Sequence, residues 1–121
     1  KQRTLPLHYF TMEYITDPVT ETELAQLTIG STPVLVDFFA TWCEPCNYLD
    51  EILQELESRL GNKIRIFKLD VDQQPEVSKS LRIMSVPTLM IYKDGEFKWR
   101  MAGFKLAHEL EEDLKQYIET K

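Results

Sequence analysis

The sequence predicts an α/β domain built on one mixed central sheet with helices on both faces, and three observations point to it. Hydrophobic patterning switches repeatedly between strand and helix periods along the chain. Val34–Phe39 is an almost continuous apolar run, the pattern of a strand covered on both faces. Two late strand patterns flank Asp94-Gly95, the strongest short hairpin signal present. That last pair must be antiparallel, whereas the earlier strands, joined through helices, run parallel.

Each element follows in order. Residues 1–20, with Pro6, Pro18 and scattered aromatics, read as a loose arm and an edge strand, strand-like over 7–15. Leu24, Ala25 and Leu27 at helical spacing place a short helix over 22–29, stopped by Gly30. Val34–Phe39 is the central strand. From 43 to 60 the pattern turns helical, with Leu49, Ile52, Leu53, Leu56 and Leu60 on one stripe. Asp50, Glu51, Glu55 and Glu57 fall outside that stripe, and Gly61 ends the helix. Strand alternation resumes over 64–69, a loop follows over 70–74, and 75–81 suits a helix with Pro75 in its first turn. A strand over 86–92, opened by Pro87, pairs through the hairpin with 97–101. Leu106, Leu110, Leu114 and Ile118 then form the stripe of a terminal amphipathic helix. The predicted order is β-α-β-α-β-α-β-β-α.

With 121 residues, 43% apolar and 28% charged, the chain suits a single domain over 1–121 with one core. A net charge of −6 without any local gathering of Lys or Arg argues against nucleic-acid binding and serves solubility. No apolar run approaches the roughly 20 residues needed to cross a bilayer, so a soluble protein is expected; a monomer is expected as well. A first residue of Lys1 instead of Met suggests that a leader or tag precedes it, and both a cytoplasmic and a periplasmic or cell-envelope home fit. Two cysteines are too few for a disulfide framework, which leaves a redox pair or half a metal site.

Those cysteines, Cys43 and Cys46, enclose Glu44-Pro45 at a strand-to-helix junction. Thr41 and Glu44 stand at capping-box spacing, and Pro45 fits only a first helical turn, so the helix begins at the cysteines. Its unpaired backbone N–H groups and positive dipole end then face the Cys43 sulfur and favour thiolate over thiol. Cys43 is the expected nucleophile. Cys46, one turn further in and more buried, is the expected resolving thiol that attacks the Cys43 sulfur of a mixed disulfide. Asp37 is a charged residue inside an apolar run, where desolvation favours its neutral form. Taken alone, it could equally face solvent at a strand end, Lys68 could be an ordinary edge lysine, and Trp42 a core residue.

Asp37-Phe38-Phe39-Ala40-Thr41-Trp42-Cys43-Glu44-Pro45-Cys46, then Lys68, Val86-Pro87-Thr88, Gly95 and Gly103, together resemble the thioredoxin family, and the likeness spans nearly all the chain beyond its first twenty residues. The resemblance implies a thioredoxin-like fold and reduction of protein disulfides through Cys43 and Cys46. It implies a cis Pro87 lying against the two sulfurs, with the Val86 main chain and the backbone near Gly103 pairing with an extended substrate segment. Trp42 and Pro45 would border that substrate. Asp37 would shuttle a proton for Cys46, with Lys68 as its counter-charge. The disulfide itself would be the only redox cofactor. Partners would be disulfide-bearing proteins and an upstream reductase or membrane electron donor.

The chain departs from the commoner family pattern at Glu44 for glycine, Asn47 for lysine, Phe39 for tryptophan and Glu51 for a helix-kinking proline. A straighter helix is expected. Glu44 and Asn47 both disfavour charge on Cys43, which leans the pair toward reduction. Three alternatives stand beside that reading. One is an oxidant or isomerase of the same fold, although such relatives favour a histidine between the cysteines. Another is a metal-binding module drawing on Cys43, Cys46, His8 and His108, and the third is a non-catalytic interaction domain.

Overall fold

Strand β2 (Val34–Phe39) lies at the middle of a five-stranded sheet because it has no polar edge to show to water: Val34, Leu35, Val36 and Phe38 are all fully buried. The structure, a computed structural model, describes residues 12–118. In chain order the elements are β1 (Met12–Tyr14), α1 (Glu21–Leu27), β2, α2 (Glu44–Leu60), β3 (Arg65–Asp70), α3 (Pro75–Ser80), β4 (Thr88–Lys93), β5 (Glu96–Ala102) and α4 (Ala107–Lys115). A 3-10 turn at Gly61–Lys63 follows α2. Strands run β1-β3-β2-β4-β5 across the sheet. β1 and β2 flank β3 in parallel, while β4 lies antiparallel to both β2 and β5. This is the mixed sheet and the element order that the sequence predicts.

Side chains alternate across the strands and so divide the core in two. On one face Leu35, Ile66, Leu89 and Ile91 meet Leu49, Leu53 and Leu56 of α2 and Leu110 and Leu114 of α4. On the other, Val36, Phe38, Phe67 and Met90 meet Leu24 of α1 and Val77 of α3. Both faces are therefore covered by helices.

Several boundaries differ from expectation for local reasons. α1 starts and ends earlier than 22–29, because Thr20 and Glu23 form a capping box and Thr28 closes the helix. Gly30 serves the hairpin instead: its carbonyl accepts from Asp94 N at 3.0 Å, and Thr28 O accepts from Gly95 N at 3.1 Å. Asp94 and Gly95 carry φ of 56° and 76°, the two positive values of a type I′ turn. A Cβ on Gly95 would come within 3.2 Å of the Ala25 carbonyl oxygen, so the tip docks tightly on α1.

At the other end, Leu106 precedes α4 as its N-cap, and Ile118 lies beyond its last turn at Lys115. The 70–74 loop ends at a buried residue, not a solvated one. Gln74 donates to the carbonyls of Ile15 and Asp17 at 2.8 Å and accepts from Val19 N at 3.0 Å, which fastens the segment after β1 to α3. Of the strand expected over 7–15, Met12–Tyr14 is observed; residues 7–11, and His8 with them, lie outside the described residues. No helix among the described residues is long and apolar enough to cross a membrane.

Candidate active site

The chain leaves β2 at Phe39 and turns through Ala40-Thr41-Trp42 into α2, so the first turn of that helix sits at the carboxyl edge of the sheet. The expected Thr41–Glu44 capping box is not formed. Cys43 is the N-cap, extended at φ −96° and ψ 111°, and its Sγ accepts the Cys46 backbone N–H at 3.2 Å. The reason lies in Pro45. With Thr41 as cap, the proline would occupy the fourth helical position and could not give the first intrahelical hydrogen bond; with Cys43 as cap it falls in the first turn, where no N–H is needed.

Cys43 and Cys46 are joined as a disulfide, with Cα atoms 5.3 Å apart. Both are nearly buried, Cys43 at 5% and Cys46 at 2% exposure, so accessibility alone separates them little. Position separates them more: Cys43 Sγ is the sulfur at the helix cap, and it lies 3.7 Å from the Val86 carbonyl. Negative charge on that sulfur, once the bond opens, is favoured by the N–H it already accepts and by the helix end.

The Val86–Pro87 peptide bond is cis, as the resemblance implies. Thr88 Oγ1 donates to Ser85 O at 2.7 Å, and Gly103 N donates to Pro87 O at 2.8 Å, which holds this corner beside the sulfurs. The Gly103 N–H is thus already engaged. What Gly103 leaves for a visitor is room, since nothing lies within 4 Å of where its Cβ would be.

An open groove of about 200 Å³ runs beside Cys43, lined by Trp42, Val71, Ile83, Met84, Ser85 and Val86. Trp42 is no core residue. It is 70% exposed, with its indole N–H donating to Asp72 Oδ2 at 2.9 Å, and Met84 across the groove is 88% exposed. Pro45 is exposed in the first turn of α2. Neither Asp72 nor Met84 is legible in the sequence: Asp72 is 30 residues from its partner, and a lone methionine carries no periodic signal.

Beneath α2 lies a buried charge pair. Asp37 and Lys68 are direct register partners on β2 and β3, at 0% and 1% exposure, with Lys68 Nζ 3.3 Å from Asp37 Oδ2. Neither residue faces solvent at a strand edge. Neither Asp37 oxygen accepts a well-formed hydrogen bond among the described residues. Burial pushes the Asp37 carboxyl up to about 6, against the lowering pull of the Lys68 charge. For Lys68 burial opposes the charge, but Asp37 and Asp50 together hold it above the ordinary lysine range. Asp50, expected outside the buried stripe of α2, is half-buried, and its Oδ1 accepts from Lys68 Nζ; Glu57, expected outside it too, is buried.

His108 stands on α4, and the described residues hold no group of three His, Cys, Asp or Glu able to take a metal ion. Two sulfurs that make and break one bond carry two electrons and two protons between this chain and a partner, which defines a thiol–disulfide oxidoreductase.

The comparisons with known proteins agree. The family model described as Thioredoxin matches residues 15–118. A thioredoxin of Listeria monocytogenes is 42% identical over 85 residues, covering 70% of this chain and 82% of that protein. A thioredoxin-like protein of Synechocystis is 39% identical over 95 residues, 78% of this chain and 90% of its own length. Among solved structures, a mutant thioredoxin from Halobacterium salinarum superposes with a TM-score of 0.78 at 27% identity, covering 98% of this chain and 99% of that one. The oxidized mitochondrial thioredoxin 3 of Saccharomyces cerevisiae gives 0.73 at 28% identity, covering 90% and 98%. This chain belongs to the thioredoxin family and reduces protein disulfides by dithiol–disulfide exchange.

Proposed function

We propose that the chain acts as a single-domain, broad-range reductant in which Cys43 attacks, Cys46 resolves and Asp37 takes the proton that Cys46 must lose. The observation that carries this reading is the position of Cys43 Sγ, capped by a backbone N–H and bordering an apolar groove with exposed Trp42 and Met84. An extended substrate segment lies in the groove against the Val86 main chain, with Trp42 and Pro45 along it and clearance at Gly103. The Cys43 thiolate attacks one sulfur of the substrate disulfide, and the other leaves as a thiolate that takes a proton from water. Cys46 gives its proton to the Asp37 carboxylate and attacks Cys43 Sγ, which expels the second substrate thiolate. Two electrons have passed to the substrate, and the chain is left with the Cys43–Cys46 disulfide. An upstream dithiol reductase restores it.

Insulin reduction by single variants tests the roles. Cys43→Ser should lower the rate by about a thousandfold, whereas Cys46→Ser should accumulate a covalent mixed disulfide with substrate. Mixed-disulfide accumulation by Cys43→Ser instead would reverse the assignment. A reduction potential below about −200 mV is expected from Glu44 and Asn47, and a value above it would place the chain among disulfide-forming oxidants.

A further inference from the structure

Lys68 stands between two carboxylates of unequal exposure. Asp37 is fully buried and meets the ammonium at 3.3 Å, outside hydrogen-bonding geometry. Asp50, four residues past Cys46 on α2, accepts a hydrogen bond from the same ammonium through Oδ1, and its side chain is 36% exposed. Two ring faces also stand against the ammonium, Phe39 at 4.7 Å and Tyr14 at 5.5 Å. The titratable and charged groups that face Asp37 are few. β3 brings Lys68, α2 brings Asp50 and carries the cysteine pair at its start, β1 brings Tyr14 across Lys68, and the β4 register partner is the apolar Leu89.

We propose that Asp50 is a positioning residue for the dithiol reaction: it draws the Lys68 ammonium toward solvent and away from Asp37, leaving the buried carboxylate basic enough to accept the Cys46 proton. A carboxylate fully paired with an ammonium is a poor base, and one whose partner is shared regains basicity. Asp50 adds to this through its own charge, which disfavours a second negative charge on Asp37. Of the three side chains, Asp50 is the partly exposed one, while Asp37 and Lys68 are buried. The inference rests on the reading of Asp37 as the proton partner of Cys46.

Carbon-13 titration of the Asp37 carboxyl in the oxidised protein, where neither cysteine titrates, tests it directly. In Asp50→Asn the Asp37 midpoint should fall by about half to one pH unit, a range discounted for the partial exposure of Asp50. The acid limb of the insulin-reduction profile should move the same way, and Asp50→Glu should bring both back toward the wild-type values. An Asp37 midpoint that stays in place or rises in Asp50→Asn overturns the role of Asp50. A pH profile unchanged by Asp37→Asn overturns instead the reading of Asp37 itself.

Discussion

The two faces of β2 come from one six-residue strand and both bury apolar core, but only one of them also holds a charge. Val34, Val36 and Phe38 point toward α1 and α3 into a wholly apolar cluster, whereas Leu35, Asp37 and Phe39 point toward α2, where a buried carboxyl sits among the strand's hydrophobic neighbours. Both faces stabilise the fold by removing apolar surface from water, and the second gives up some of that stability for a titratable group on the side that α2 covers. Stability and chemistry part across the thickness of a single sheet.

The comparison breaks most sharply at Phe38. Phe38→Ala should lower stability by about 3–5 kcal/mol in urea unfolding, since the residue is fully buried and α1, α3 and β4 can collapse only partly into the space. A loss below about 1 kcal/mol would mean that this face is not the structural one.

One position earlier, the sign should reverse. Asp37 holds its proton more tightly when folded, with its carboxyl raised from 3.8 to about 6, so the native state binds more protons than the unfolded chain in that window. Stability therefore falls as pH rises from about 4 to about 6 and stays reduced above it. Asp37→Asn removes this penalty and leaves Lys68 its bond to Asp50. The variant should gain about 1–3 kcal/mol at pH 7.5 and close to nothing at pH 4. Equal stability of variant and parent across that range would remove the penalty from the α2 face.

The smallest expected effect lies at the rim of the apolar face. Gly95→Ala should lower stability by about 1–2 kcal/mol, because φ is +76° and the added carbon meets the Ala25 carbonyl. A neutral change would show that the hairpin tip is free to lift from α1.

Most of the sheet was legible because periodicity is a local property. The unbroken run at Val34–Phe39, the Asp94-Gly95 turn and the stripe of α2 each lie within a short window of sequence. The cysteine pair was legible for the same reason. What escaped were features decided by pairing at a distance, such as Trp42 with Asp72 or Gln74 with the carbonyls of Ile15 and Asp17. Asp50 is the instructive case. Sorting α2 by polarity put it outside the stripe, but spacing places it one turn after Cys46 and three residues before Leu53, on the buried side. Glu57, four residues past Leu53, follows the same row. Polarity gave the wrong side of the helix where geometry alone would have found the right one. The capping-box spacing of Thr41 and Glu44 points to the wrong cap because it ignores the hydrogen bond that Pro45 cannot give, and the cap is Cys43.

The cross-link joins residues only three apart, within one turn of α2. A ring that small restrains less of the unfolded chain's freedom than a bridge between distant segments would, so opening it gives up less folding stability than a long-range bridge contributes. The cross-link ties no separate elements of the sheet together, so the contacts that hold β2, β3 and β4 to α2 do not depend on it.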